Sequence, residues 1–190
     1  MHLVWPAREH LASYVDALER GWSPDNIRGR ITAEEELKKI ATDPDAFLAS
    51  LVDLNASGPP LTMLDGQKVP RIPGYRKWMW DGEFCGSIGF RWQPGSEDLP
   101  PYCLGHTGYA VVPWKNGRGY ATEALRQIVN DASARGLRFI IVTTAPDNLA
   151  SQRVIEKNGG VFVDEFVTLP GLGSQRERRY RIPIRHAAHA

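Results

Sequence analysis

An apolar run, Gly108-Tyr109-Ala110-Val111-Val112, leads through the turn Pro113-Trp114-Lys115-Asn116-Gly117-Arg118-Gly119 into a segment with apolar residues at Ala121, Ala124, Leu125, Ile128, Val129 and Ala132. The first run suits a buried strand, and the later spacing fits a helical period of about 3.6 residues. A strand, a tight turn and an amphipathic helix in immediate succession require the helix to pack back on the sheet that holds the strand, so the chain is α/β. The helix is expected to reach about Arg135 and to stop at Gly136.

The turn carries chemistry of its own. Gly117 and Gly119 have no Cβ, so the backbone there can take conformations closed to other residues and approach a bulky ligand. The N–H groups of the first helical turn have no acceptor within the helix. With the positive end of the helix dipole and the flanking Lys115 and Arg118, they favour a phosphate or pyrophosphate. A solvated turn that merely caps a helix would use the same residues. The pattern Gly-x-x-x-x-Gly-Lys-Ser/Thr is absent. A dinucleotide loop follows the first strand of its unit and is trailed by an acid about 20 residues on. Here the turn lies past mid-chain and the next strand, Leu137–Thr143, ends without an acid. Both nucleotide readings lose ground.

A second segment, Asp147 to Gly160, reads as a short helix between strands Arg138–Thr143 and Val161–Val167. Asp147 or Asn148 can cap its start, and Asn158-Gly159-Gly160 ends it. Asn148 is either a plain N-cap or a residue whose amide meets an amide-bearing ligand between two splayed strands.

In this order the two segments resemble motifs A and B of the GNAT acetyltransferases. Strand, glycine loop, helix, strand, Asn-x-x-Ser and Glu-Lys-x-Gly-Gly fall in family order over roughly residues 76–181, and Arg178-Arg179-Tyr180-Arg181 looks like the last strand of the family. His106-Thr107-Gly108-Tyr109 and Ala121-Thr122-Glu123-Ala124 are most similar to the RimJ/RimL-type branch or a group near it. The resemblance implies one N-acetyltransferase domain over residues 1–190, with a mixed, strongly twisted sheet of six or seven strands, helices on both faces, and a parting between the fourth and fifth strands. It implies acetyl-coenzyme A as co-substrate and no metal. The pyrophosphate would lie over Gly117, Arg118, Gly119, Tyr120 and Ala121, between Asn116 and Thr122. The pantetheine arm would run beside Val111 and Val112 as a false strand, with Asn148 and Ser151 meeting it from the other side. Asn116 stands where the family usually has Gln or Arg, a change that leaves a main-chain cradle intact.

The implied reaction is acyl transfer from the thioester to an amine by direct attack through a tetrahedral intermediate, the acceptor being a small-molecule or peptide amine. An amine of pKa about 10.4 is neutral in only about one part in two thousand at pH 7, so a base or a water relay helps. His106 occupies a place where the RimJ/RimL pattern often has a carboxylate, and an imidazole of pKa about 6.5 can take the proton. A strand histidine bonded to its neighbours is the other reading. Backbone N–H groups at a Val111–Val112 bulge would hold the oxyanion. Many family members place a tyrosine acid just before the Glu-Lys of motif B. Here that position is Ile155, which leaves Ser151, Tyr109 or water to protonate the departing thiolate. The same substitution supports a second function, an acyl-coenzyme A-binding sensor or partner module without catalysis.

Composition agrees with a single globular domain: 190 residues, 42% apolar and 24% charged. A net charge of +1 gives no ground for nucleic acid or membrane as a partner. Arg176, Arg178, Arg179, Arg181 and Arg185 cluster, but on a strand they divide between two faces and read as a solvated edge. Two cysteines, Cys85 and Cys103, are too few for a disulfide framework, and with no signal peptide or long apolar span the expected location is the cytoplasm. Cys103, three residues before His106, reads as a packing residue rather than a nucleophile. The cysteine and histidine spacings do not supply a zinc site. Upstream, a strand at His2–Trp5, a helix at Arg8–Arg20 and helices within Ala33–Leu54, broken near Asp43-Pro44, would by the resemblance wall the acceptor pocket. A loop from Ser57 to Gly74 holds a short strand at Thr62–Leu64, and a hairpin of Tyr75–Trp80 and Glu83–Trp92 turns at Asp81-Gly82. A homodimer is compatible with all of this.

Overall fold

The structure is a computed structural model that describes residues 1–184. Its elements are β1 (His2–Val4), α1 (Arg8–Glu19), α2 (Arg30–Thr42), α3 (Pro44–Ser50), β2 (Val52–Asp53), β3 (Leu61–Thr62), β4 (Lys68–Val69), β5 (Gly74–Trp80), β6 (Phe84–Arg91), β7 (Thr107–Val111), α4 (Tyr120–Ala134), β8 (Phe139–Thr144), α5 (Leu149–Lys157), β9 (Val161–Val167) and β10 (Arg176–Pro183). Local chemistry fixes their ends. Asp43 closes α2 and caps α3, its Oδ1 accepting from the N–H groups of Asp45 and Ala46 at 3.1 and 2.9 Å, with Pro44 in the first helical position. Helix α4 stops at Arg135, where Gly136 turns left-handed at φ 77° and the Leu137 N–H reaches back to the Ala132 carbonyl at 3.2 Å.

Every strand ladder among the described residues is antiparallel. One sheet runs β1-β5-β6-β7, with β2 on the far part of β5; a second runs β8-β10-β9; β3 and β4 form a separate hairpin. The α/β fold is the expected one, with helices on both faces, and the expected parting falls between β7 and β8 and divides the strands into two ladders. The parting between β7 and β8 is complete. His106, just before β7, sits beside Ile141 in the middle of β8, while Tyr109 reaches Ser151 beyond the end of β8, so the two strands run the same way without a ladder between them.

Alternation along the strands sends neighbouring side chains to opposite faces, and each face has its own core. Met79, Ile88 and Phe90 pack with Leu125 and Ile128 of α4, Ile155 of α5, and Ile140, Val142, Tyr180 and Ile182 of the second sheet. Trp78, Phe84 and Val112 point the other way, against Leu11, Tyr14 and Leu18 of α1, Ala33 and Ile40 of α2, and Phe47 of α3, with Tyr14 stacked on Trp78 at 4.5 Å. Helices α4 and α5 thus cover one face and α1–α3 the other. No helix of the described residues is long and apolar enough to cross a membrane. The arginines of β10 divide between two faces as expected, Arg178 turning to Gln152 on α5 and Arg179 to Asp164, but β10 is the central strand between β8 and β9 and not the solvated edge that was expected; Arg185 lies outside the described residues.

Candidate active site

The seam between β7 and β8 is pinned at one end. The His106 N–H donates to the Ile141 carbonyl at 2.8 Å, and the Ile141 N–H donates to His106 Nδ1 at 3.0 Å. A Cβ on Gly105 would lie 2.9 Å from the Ile141 oxygen, so only glycine lets the two chains come this close. Past this point no hydrogen bond joins the two main chains among the described residues.

Ladder parity decides which groups face the gap. The Arg91 N–H donates to the His106 carbonyl at 2.9 Å and the Val112 N–H to the Cys85 carbonyl at 2.9 Å, so even-numbered residues of this stretch bond to β6. The odd-numbered ones, Tyr109 and Val111, turn their N–H and carbonyl groups into the seam. Val112, expected beside the coenzyme arm and at the oxyanion, has no free main-chain group: its carbonyl also accepts from the Lys115 N–H at 3.0 Å, and its side chain is buried. Val111 is the residue whose N–H remains available.

Directly beyond lies the glycine turn. Gly117 and Gly119 both hold positive φ, 78° and 76°, and a Cβ on either would meet nothing within 4 Å, so the concavity above them is open. Among the described residues no protein oxygen accepts from the N–H groups of Gly117, Arg118, Gly119, Tyr120, Ala121 or Thr122. Six amides at a helix N-terminus with no acceptor form a ready anion cradle. The exposed Asn116 and Arg118 flank it. Lys115 does not contribute to it. This residue is buried and ion-paired to Asp81 at 2.6 Å and Glu83 at 2.7 Å, a use the sequence signalled only through the acids of the hairpin tip. The other oxygen of Asp81 accepts from the Tyr120 hydroxyl at 2.6 Å, so one carboxylate braces the turn on both sides. These bonds hold the Asp81 carboxyl far below the ordinary carboxylate range despite its partial burial.

Across the seam Tyr109 and Ser151 meet, their hydroxyl oxygens 2.9 Å apart. Burial pushes the Tyr109 phenol up to about 12, so it keeps its proton at neutral pH. Asn148 is the N-cap of α5, with Oδ1 accepting from the Ser151 N–H at 3.0 Å; this leaves its side-chain NH2 free to donate. The Thr122 carbonyl accepts from Asn158, tying α4 to α5. Ile155 is wholly buried in the core, remote in character from an acid–base group. Cys103 is half-buried, its thiol directed at the Gly105 carbonyl.

His106 is wholly buried, its Nδ1 lone pair is occupied by the Ile141 amide, and its Nε2 has no partner. The free nitrogen therefore carries the proton, and the ring has no lone pair directed at the seam. Burial, aided by the neighbouring Arg91 cation, pushes it down to about 4. A histidine with a folded value below its unfolded value of about 6.5 adds stability above that pH and loses it as the pH falls toward 4, by about 3 kcal/mol in all. Denaturant unfolding between pH 7 and pH 4 should show this loss, and His106→Gln, which keeps an acceptor for Ile141, should flatten it.

No group of three or more potential metal ligands occurs among the described residues. Residues 64–161 match the family model described as acetyltransferase (GNAT) domain. No curated protein matches the sequence. Among solved structures, the microcin C7 self-immunity acetyltransferase MccE, in complex with acetyl-CoA and AMP, aligns with a TM-score of 0.56 at 12% identity, over 96% of this chain and 91% of its own. RimL, the ribosomal L7/L12 alpha-N-protein acetyltransferase, in complex with coenzyme A, aligns at 0.59 and 14% identity, over 96% and 93%. A GNAT-family acetyltransferase from Bacillus anthracis aligns at 0.59 and 19% identity, over 95% and 93%. At such identities the likeness is one of fold.

Proposed function

The chain belongs to the GNAT acetyltransferase family, and from that premise we propose that it transfers an acetyl group from acetyl-coenzyme A to a primary amine. The observation that carries this reading is the row of amides from Gly117 to Thr122, without acceptors, placed next to a strand edge with unpaired groups at Tyr109 and Val111. The row would hold the pyrophosphate and the edge the amides of the arm, with the NH2 of Asn148 and the hydroxyl of Ser151 opposite. The bound thioester supplies an activated acyl group and a thiol leaving group. The Val111 N–H would stabilise negative charge on the carbonyl oxygen. The Tyr109–Ser151 pair would donate a hydrogen bond to the departing sulfur. With its phenol near 12 against a thiol of about 8.5, Tyr109 steadies the thiolate rather than giving up its proton. His106 is assigned to holding the seam, and the amine's proton goes to water or another group. Helices α1–α3 would wall the acceptor side, and the acceptor would be a small molecule or a peptide amine in the cytoplasm.

A purified sample should release coenzyme A thiol when offered acetyl-coenzyme A with a panel of amines. Tyr109→Phe should lower kcat about tenfold or more, through one lost hydrogen bond to a charged group, without changing coenzyme affinity. The second reading, a coenzyme-binding module without catalysis, draws on the burial of Ile155 where an acid is usual. It is favoured if acetyl-coenzyme A raises the melting temperature and no amine is ever acetylated. Stabilisation by ATP or NAD but not by acetyl-coenzyme A would remove both readings.

A further inference from the structure

Alternation on β10 sends Arg178 and Tyr180 toward α5, where both reach Gln152 Oε1, at 3.0 and 3.4 Å. Glu177, Arg179 and Arg181 therefore project from the opposite face, together with Phe139, Ile141 and Thr143 of β8. In the other sheet Tyr109 and Val111 pack toward α4 and α5, while Ala110 and Val112 pack with the α1–α3 cluster. Glu177 thus lies on the side of the seam that α1–α3 share, away from Tyr109 and Ser151.

Register fixes its height. His106 is level with Ile141, so Ala110 is level with Ala145. Arg179 pairs with Thr143, so Glu177 is also level with Ala145. Ala145 faces Ala110 across the gap, and Glu177 stands one strand further on, beside the point where β8 ends at Thr144, at about the level of the free Val111 N–H.

The charges on this face are unbalanced at one place. Arg179 is bound to Asp164 at 3.3 Å and lies over the Phe166 ring at 4.3 Å, and Arg181 lies over Phe139 at 4.3 Å; on the opposite face Arg176 and Arg178 are both held by Glu165. Arg91, the cation on the β7 side, is tied to the Gly105 carbonyl at the closed end of the seam. Glu177 is half-buried and has no cationic partner among the described residues; the hydroxyl of Thr143 is its hydrogen-bond partner. Burial holds its carboxyl above the ordinary range, the mark of a charge with no counter-ion.

We infer that Glu177 forms the binding site for the protonated amine of the acceptor, at the α1–α3 side of the seam level with Val111. The inference rests on the acetyltransferase reading and adds to it a substrate class, a cationic amine, and the residue that selects it. Glu177 holds and orients the ammonium, which gives its proton to water at the seam before the neutral amine attacks.

The probe is n-hexylamine, with n-hexanol as its uncharged control, titrated into the full chain without coenzyme and followed through the side-chain carboxyl resonance of Glu177. Hexylamine should shift the carboxyl pKa downward and bind saturably, and hexanol should do neither. Glu177→Gln, which retains the bond to Thr143, should weaken hexylamine binding and raise its KM in thiol release roughly tenfold, leaving acetyl-coenzyme A affinity unchanged. An unmoved Glu177 resonance in the wild type, or equal hexylamine binding by the Gln variant, would overturn the inference. Failure of the wild type to bind acetyl-coenzyme A would instead strike the acetyltransferase reading, since the amine titration is made without it.

Discussion

Gly119→Val should reduce coenzyme A affinity by a hundredfold or more while leaving a folded protein. Gly119 is the N-cap of α4 at φ 76° and ψ 7°, a left-handed conformation that costs a β-branched residue about 1–2 kcal/mol. Nothing in the protein lies within 4 Å of the added Cβ, so no core packing is lost and unfolding should shift only by this local strain. The ligand side is different. The new side chain either fills the concavity above the amides or makes the turn rotate to relieve itself, and both remove N–H groups from the anion. Charge-assisted hydrogen bonds are each worth about 1.5–3 kcal/mol, so losing two gives the stated factor. Calorimetric titration of coenzyme A into both proteins decides the matter. Undiminished affinity in the folded variant would show that the turn does not hold the phosphates.

The second large effect is on stability. Lys115→Met removes the cation that Asp81 and Glu83 share, at a site where the lysine side chain is 4% exposed. Glu83 is mostly exposed and can turn to water, but Asp81 is held at the hairpin tip, its side chain 17% exposed, and would be left with two uncharged donors, the Tyr120 hydroxyl and the Cys85 thiol. Breaking one side of a buried pair costs about 3–5 kcal/mol, so unfolding by denaturant should show a loss near the lower end of that range. Because Asp81 braces both ends of the glycine turn, coenzyme affinity should fall as well. A double variant, Lys115→Met with Asp81→Asn, should recover part of the stability, since the stranded charge is gone. A single variant as stable as the wild type would mean that the pair is solvated in solution.

Much of this was legible along the chain. The turn at Gly117-Arg118-Gly119, the extent of α4, the Asn148 cap and the hairpin at Asp81-Gly82 are local features, each set by residues within a few positions of one another. The role of Lys115 was not, because whether a lysine beside a glycine turn faces a ligand or a carboxylate depends on a hairpin tip more than thirty residues earlier. His106 misleads in the same way: its chemistry follows from the amide of Ile141, which only the closing of the seam brings to its ring. Val112 and Val111 are equivalent in sequence, and ladder parity alone separates them.

The order of strand, glycine turn, helix, strand and capped helix was decided by the sequence itself, because backbone freedom at glycine, capping and hydrophobic period all act over a few residues. Which amides stay without acceptors, which hydroxyls meet and which carboxylate is left without a counter-ion were decided only in three dimensions. Those outcomes depend on registers and contacts between segments far apart in the chain, and a single shift of one residue along β7 or β10 would reverse them.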